Sequence, residues 1–271
     1  MKKFILSLVE QFPKLAQFYR NSRDQLDRNQ PAKDTPWGFK FAGHEEMAIG
    51  TFEPNETGLV RNLLQDVDIL VNIGANVGYY CCHALSLGKP VIAVEPITRN
   101  LHYLMRNIVE NGWAKQVEIF PVALGSQSDI LKIWGGGTGA SLIKGWASIP
   151  ESYVTQVPVM TLDRILCTSL QGKQALILAD VEGAEYAMLQ GALTTLQNKP
   201  KPIWMIEIGS TSHQPKGIKV NPHLIPTFEL FFKYGYTAKT ADLEQMVVDM
   251  QMLRRAAKGE SKLPSHNFLF Q

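Results

Sequence analysis

The sequence predicts an α/β fold, a doubly wound and mostly parallel sheet with helices on both faces. Three observations predict it. From residue 66 onward, short apolar runs alternate with amphipathic helical segments, the pattern of βαβ units. The runs lack polar alternation, as strands covered on both faces do. The first run ends in a glycine-containing turn, where chains of this kind meet a ligand outside the carboxyl ends of their strands.

The elements follow in order. Residues 4–19 carry Phe4, Ile5, Leu8, Val9, Phe12, Leu15, Phe18 and Tyr19 at mostly helical spacing, with Pro13 as a kink or break. This helix is expected to pack on the domain. The alternative is a membrane-surface or dimer-forming helix, because Lys2 and Lys3 flank a large apolar face, so a homodimer stays open. Residues 21–36 are polar, contain Pro31 and Pro36, and read as a linker. The expected division is an N-terminal helical extension and linker over 1–36 and one domain over 37–271. Val67–Ile73 is the first strand, and a helix follows over about 78–87. Val91–Val94 is the second strand. Leu101, Leu104, Met105, Ile108 and Val109 then mark one face of a helix. Val117–Val122 is a third strand. Residues 131–165 break the alternation and read as an inserted hairpin or loop region. Leu176–Ala179 is another strand, followed by a helix with Met188, Leu189, Ala192, Leu193 and Leu196 on one side. Ile203–Ile208 is the next strand, residues 223–234 a helix, and Tyr236–Lys239 and Asn267–Phe270 the final strands.

Composition narrows the function. The chain has 271 residues, 45% hydrophobic and 19% charged, enough for a sizeable core. A net charge of +2 without a basic block argues against a nucleic-acid partner. Cys81, Cys82 and Cys167 form neither a disulfide framework nor a zinc spacing, and read as small buried hydrophobes in a reducing compartment. The apolar run at the N-terminus is too short for a signal peptide, and no stretch approaches a membrane span. A cytoplasmic protein without a transmembrane segment is expected.

The first strand ends in Asn72-Ile73-Gly74-Ala75-Asn76-Val77-Gly78. Glycines permit the tight turn and let a ligand approach the backbone. A dinucleotide site would need a middle glycine for its pyrophosphate, and Asn76 stands there instead. S-adenosylmethionine has no phosphate and does not need that glycine. The second strand ends in Glu95, 17 residues after Gly78, where a carboxylate can accept both ribose hydroxyls. Ordinary turn glycines and a surface carboxylate are the plain alternatives.

The runs Val-Asn-Ile-Gly-Ala-Asn-Val-Gly-Tyr-Tyr at 71–80, Ala-Val-Glu-Pro at 93–96 and Ala-Asp-Val-Glu-Gly-Ala-Glu at 179–185 closely resemble the FkbM family of S-adenosylmethionine-dependent methyltransferases. Val-Ala-Leu-Gly at 122–125, Thr-Leu-Asp at 161–163, Ile-Glu-Ile at 206–208 and Asn-Phe-Leu-Phe at 267–270 add to the likeness, which covers roughly residues 37–270. The resemblance implies a class I methyltransferase (Rossmann-like) sheet with an antiparallel last strand. It implies O-methylation of a small-molecule or glycan hydroxyl, such as a sugar or polyketide. It also implies cofactor binding by Gly74, Asn76, Gly78 and Glu95. Asn72 stands where the family usually has Asp, and Leu178 where Lys is common. Asn72 keeps hydrogen-bonding capacity at the cofactor site without the charge.

Methyl transfer to an alcohol calls for alignment and a base near the carboxyl ends of the strands. Asp180, Glu182, Glu207 and His213 are the candidates for acceptor binding and proton removal. Asp180 and Glu182 follow one strand, and Asp180 has helix capping as its alternative role. Glu207 sits among apolar neighbours, where a carboxylate is costly unless paired or hydrated. His213 is a histidine on a loop, with an exposed loop residue as the alternative. A magnesium ion could join these carboxylates. Gly135–Gly139 reads as an acceptor loop or a hairpin turn, and Trp37, Phe39 and Phe41 as core or acceptor-pocket wall. A non-catalytic S-adenosylmethionine-binding scaffold, motivated by Asn72 and Leu178, and a nicotinamide-dependent oxidoreductase are the alternative functions.

Overall fold

The computed structural model describes residues 31–271. The helix expected over 4–19, and the first part of the linker, lie outside the described residues. The last part is described: β1 (Lys33–Asp34) pairs antiparallel with β2 (Lys40–Phe41).

Two short helices follow, α1 (Glu45–Ile49) and α2 (Pro54–Leu63), and then the sheet begins. In chain order come β3 (Ile69–Ile73), α3 (Tyr79–Ser86), β4 (Val91–Val94), α4 (Thr98–Glu110) and β5 (Val117–Phe120). The segment read as an insertion holds β6 (Ala123–Leu124), β7 (Asp129–Trp134) and β8 (Val154–Met160) in a small sheet of order β6-β8-β7, and α5 (Leu162–Leu166) follows. The main path resumes with β9 (Ala175–Ala179), α6 (Glu185–Gln190), β10 (Ile203–Glu207), α7 (Leu224–Lys233), β11 (Ala238–Thr240), α8 (Met250–Ala257) and β12 (Asn267–Phe270).

The central sheet has seven strands in the order β11-β12-β10-β9-β3-β4-β5. All pairings are parallel except those of β12, which runs antiparallel to both neighbours. This is the doubly wound sheet of the class I methyltransferase fold, with the antiparallel last strand in place. Burial explains the apolar runs: β3, β4, β9 and β12 are buried at every position. Alternate residues feed opposite cores. Val71, Ile73, Ile92, Val94 and Ile177 pack with Met188, Leu189, Phe228 and Phe231. Leu70, Ala93, Leu176 and Leu178 pack with Val60, Cys81, Leu85, Leu104 and Ile108 on the other face. Strand order reverses at β3, which lies between β4 and β9, so a crevice opens at the carboxyl ends of β3 and β9.

Some elements differ from expectation. The buried face of α4 is Asn100, Tyr103, Leu104, Asn107 and Ile108, while Met105 and Val109 are exposed. The reason is polar. Asn107 Nδ2 donates to the carbonyls of Ala42 and Val77, both at 2.9 Å, and its Oδ1 accepts from Ala42 N–H at 2.7 Å. Asn111 makes the same two-way bond to Lys40, which turns α4 toward β2. Cys81 and Cys82 are buried as expected, but Cys167 is exposed, because it lies just past the end of α5 at a φ of 43°. The expected helix at 223–234 is α7. The strand expected at Tyr236–Lys239 forms two residues later, as β11. Helices α1, α2, α5 and α8 had no counterpart in the periodicity reading.

Candidate functional site

The turn after β3 is built around two glycines. Gly74 has a φ of +74° and Gly78 of +85°, a region that favours glycine. A Cβ on Gly74 would collide with the carbonyl oxygen of Asp180, so the ends of β3 and β9 touch through bare backbone. Asn76 lies between them, also left-handed at φ 50°. Its backbone N–H donates to Glu95 Oε2 at 2.8 Å.

Glu95 is buried at the end of β4. Its other oxygen, Oε1, accepts from Ile97 N–H at 2.8 Å and Asn100 Nδ2 at 3.2 Å. Burial pushes its carboxyl up to about 7, and these donors hold it from rising further. Each carboxylate oxygen has two lone pairs, so acceptor capacity remains. Gly74, Asn76, Glu95, Ile97 and Asn100 line a cleft of ≈ 610 Å³. Gly78 heads α3 and meets Leu104 of α4.

A second cavity of ≈ 970 Å³ continues from the same turn and shares Gly74, Asn76, Asp180 and Glu182 with the first. Glu53 and Glu207 also face it. Asn72 and Leu178 lie there as partners in register across β3 and β9. Asn72 is buried and donates from Nδ2 to Cys81 Sγ at 3.4 Å.

The cavity thus holds four carboxylates. Asp180 keeps surface open to this cavity, yet protein packs densely around it, and that packing governs its titration. Burial, then the charges of Glu207, Glu182 and Glu53, hold it well above the usual carboxylate range. Glu207 is pushed up to about 7, by burial first and then by Glu182 and Glu53. Glu53 is also raised, mainly by burial, and accepts from Tyr80 Oη at 3.1 Å. Asp180 does not cap α6, which begins at Glu185 with Ala184 as its N-cap; its carboxylate accepts from the Glu182 N–H in the turn before.

The inserted segment reaches into this site. Trp146 Nε1 donates to Glu182 Oε2 at 2.6 Å, and Ser141 Oγ donates to the Glu182 carbonyl at 2.5 Å. The Trp146 ring lies against Gly183, where a Cβ would come within 2.6 Å of it. His213 stands apart from the carboxylates. It is exposed at φ 62°, with its ring 5.9 Å from Trp146, and it lines neither cavity. Phe39 and Phe41 are buried in an aromatic core with Tyr79 and His83, and Trp37 packs against it. Among the described residues, no three His, Cys, Asp or Glu side chains form a group that could hold a metal ion. No described helix is long and apolar enough to cross a membrane.

Two participants escaped the sequence reading. Glu53 sits before Pro54, a helix-start signal that says nothing of a distant cavity. Trp146 begins a three-residue 3-10 turn in the inserted segment, where no periodicity marks it. Its only trace was the glycine at 183, which leaves room for a ring.

Comparison with known proteins adds to this geometry. The family model described as "Methyltransferase FkbM domain" matches residues 72–237, more than half of the chain. No curated protein matches. Three similar solved structures are a methyltransferase FkbM from Methylobacillus flagellatus KT, an O-methyltransferase from Bacillus cereus in complex with SAH, and cofactor-bound Rv0187 from MTB. The first is 17% identical over 76% of this chain and 44% of that chain, with a TM-score of 0.45, so this chain spans less than half of its length. The second is 12% identical over 83% of each chain, with a TM-score of 0.45. The third is 11% identical over 82% of this chain and 80% of that one, with a TM-score of 0.43.

Proposed function

From the premise that this chain belongs to the FkbM methyltransferase family, we propose that it is an S-adenosylmethionine-dependent O-methyltransferase acting on a hydroxyl of a small molecule or glycan. The observation that carries the reading is the meeting of the two cavities at Gly74 and Asn76, one beside a buried ribose-type carboxylate and the other lined by proton-accepting groups.

The residues present fit this cofactor. Gly74 lets a ligand reach the backbone, and Glu95 keeps one free lone pair, on Oε2, at the strand end. Asn76 Oδ1 is buried without a hydrogen-bond partner among the described residues, and a donor on the cofactor would satisfy it. Bound S-adenosylmethionine supplies a methyl group on a cationic sulfur, open to in-line attack by an acceptor oxygen. Glu182, held by the Trp146 indole N–H, lines both cavities where they join. Glu207 and Asp180 have the raised affinity for protons that a base for a hydroxyl needs near neutral pH. The acceptor O–H proton passes to one of this pair as the oxygen takes the methyl group. Asn72, expected at the cofactor, contributes a neutral, buried polar wall to the carboxylate cavity instead.

The test is transfer of labelled methyl from S-adenosylmethionine to a panel of sugars, glycans and polyketides. Glu207→Gln and Asp180→Asn should each lower kcat at least tenfold while cofactor binding persists. His213→Ala should lower kcat less than either. Turnover unaffected by both carboxylate changes would sink the base assignment. Cofactor binding without turnover of any acceptor would favour the scaffold reading, for which the uncharged pair Asn72 and Leu178 is the motivating observation.

A further inference from the structure

Glu53 has no part in the chemistry described above, and the chain holds it in an unfavourable backbone state. It stands at φ 39° and ψ 61°, a left-handed conformation that costs a glutamate more than a glycine. Both flanks keep it there. Pro54 opens α2 directly after it, the Glu53 carbonyl accepts from Thr57 N–H at 2.8 Å, and Thr57 Oγ1 donates to the Phe52 carbonyl at 3.1 Å. At the side chain, Tyr80 Oη donates to Glu53 Oε2 at 3.1 Å. Tyr80 belongs to α3, the helix that Gly78 heads, so the carboxylate is tied to the turn at the cofactor cleft.

Glu53 lines the ≈ 970 Å³ carboxylate cavity and not the ≈ 610 Å³ cleft beside Glu95. It is exposed, so a ligand can reach it. Among the described residues, Tyr80 is the one hydrogen-bond partner of its carboxylate, and lone pairs on both oxygens stay open.

The charge around it has one sign. Glu53, Asp180, Glu182 and Glu207 line the cavity, and no Lys or Arg among the described residues does. The charge of Glu53 raises the carboxyls of Asp180 and Glu207, and Glu56 in turn raises Glu53. His266 lowers Glu53, but less than Tyr80 does. A cavity walled by one sign of charge concentrates its potential and draws in the opposite charge. The apolar part of the wall suits the same visitor. Phe52, Tyr79 and Tyr80 line the cavity as an aromatic group, the rings of Phe52 and Tyr80 lying 5.5 and 5.2 Å from Tyr79, and aromatic rings attract cations. The cofactor cleft shares Asp180 and Glu182 with this cavity but neither Glu53 nor Glu207. A cation that answers Glu53 therefore comes with the acceptor.

We propose that Glu53 recognises an ammonium group on the acceptor, so that the molecule methylated on a hydroxyl is also an amine, such as an amino sugar or an aminocyclitol. This rests on the S-adenosylmethionine-dependent reading above and narrows its acceptor. Held as an ammonium, the nitrogen has no lone pair to take the methyl group, so transfer stays on oxygen. The same positive charge favours the ionised form of Glu207, the form that can take the hydroxyl proton. Tyr80 is a positioning residue, whose hydroxyl steadies the Glu53 carboxylate.

The experiment measures kcat/KM for methyl transfer from S-adenosylmethionine to glucosamine, galactosamine and 2-deoxystreptamine, each beside its N-acetylated form. The proteins are wild type, Glu53→Gln, Glu53→Asp and Tyr80→Phe. Thermal midpoints and calorimetry with S-adenosylhomocysteine establish that each is folded and has its cofactor site. Wild type should prefer the amine to the N-acetylated form by about tenfold or more, the size of one hydrogen bond to a charged group. Glu53→Gln keeps the shape and can still accept from Tyr80, and it should lose about tenfold of that preference, through KM. Glu53→Asp keeps the charge and should retain most of the preference, with Tyr80→Phe between the two. Turnover of no amine by wild type, a preference for the N-acetylated forms, a preference that survives Glu53→Gln, or a product methylated on nitrogen would each overturn the proposal. With S-adenosylhomocysteine bound and neutral sugars or polyketides turned over, those results leave the broader reading standing. Failure of the folded wild type to bind S-adenosylhomocysteine would overturn both.

Discussion

The indole of Trp146 donates its N–H to the carboxylate of Glu182 at 2.6 Å and lays its ring against the adjacent Gly183. A hydrogen bond to a charged group is worth about 1.5–3 kcal/mol net. Trp146→Phe keeps most of the ring and removes the donor. Combined with Glu182→Gln in a double-mutant cycle, read by urea denaturation, it should show a coupling of about 1 kcal/mol or more. A coupling near zero would mean that the bond does not form in solution.

Gly74 and Gly78 should differ in their tolerance of a methyl group. A Cβ on Gly74 meets backbone, the Asp180 carbonyl, which cannot move without parting β3 from β9. At Gly78 the obstacle is Leu104 Cδ1 at 2.5 Å, the end of a flexible side chain. Gly74→Ala is therefore expected to weaken S-adenosylhomocysteine binding about a hundredfold or more in calorimetry, and Gly78→Ala clearly less. The reverse order would count against the turn geometry.

Glu185 gives a pH dependence of defined sign. It is buried, accepts from Gly183 N–H at 2.8 Å, and burial pushes its carboxyl up to about 8. A carboxyl raised in the folded state contributes stability that is complete below its unfolded value, near 4.5, and lost as pH rises through 8. Glu185→Gln should then gain stability relative to wild type between pH 5 and pH 8, as urea midpoints at the two pH values would reveal. A constant difference would refute the shift.

His83 should act with the opposite sign. It is fully buried among the rings of Trp37, Phe39 and Tyr79, with centroids 4.6, 5.2 and 4.6 Å away. Arg61 can only donate, so His83 Nδ1 accepts at 2.9 Å and the proton sits on Nε2, which is buried with no hydrogen-bond partner among the described residues. Burial, then Arg61, push its pKa from 6.5 down to about 3. Its contribution to stability is present above 6.5 and lost as pH falls toward 3. His83→Phe should flatten the acid limb of the stability curve between those values. An equally steep limb would remove His83 as its cause.

The same physics explains what the sequence could and could not disclose. Central strands of a parallel sheet are buried on both faces, so β3, β4 and β9 announced themselves as apolar runs. Gly74, Asn76 and Glu95 could be grouped from the sequence because each falls at the carboxyl end of a strand, and the structure brings them to one cleft. The face of α4 was misjudged because apolar periodicity is blind to Asn107 and Asn111, which decide the helix's rotation through bonds to residues more than sixty positions away. Glu53 reaches the carboxylate cavity, and Trp146 reaches Glu182, across long stretches of chain, and nothing local records such meetings. His213 carried the right chemistry on a loop whose direction periodicity does not give.

One feature of the sheet bears on how the protein is made. The strand β12 lies between β10 and β11, yet a ribosome delivers it after both. Until it emerges, the backbone of β10 along Trp204–Glu207 has no partner on that side, and β11 has no place to dock. The nascent chain must therefore carry an open, apolar sheet edge through the synthesis of more than fifty residues, a surface that other chains can pair with. The arrival of β12 closes the β10 edge and gives β11 its place in a single step.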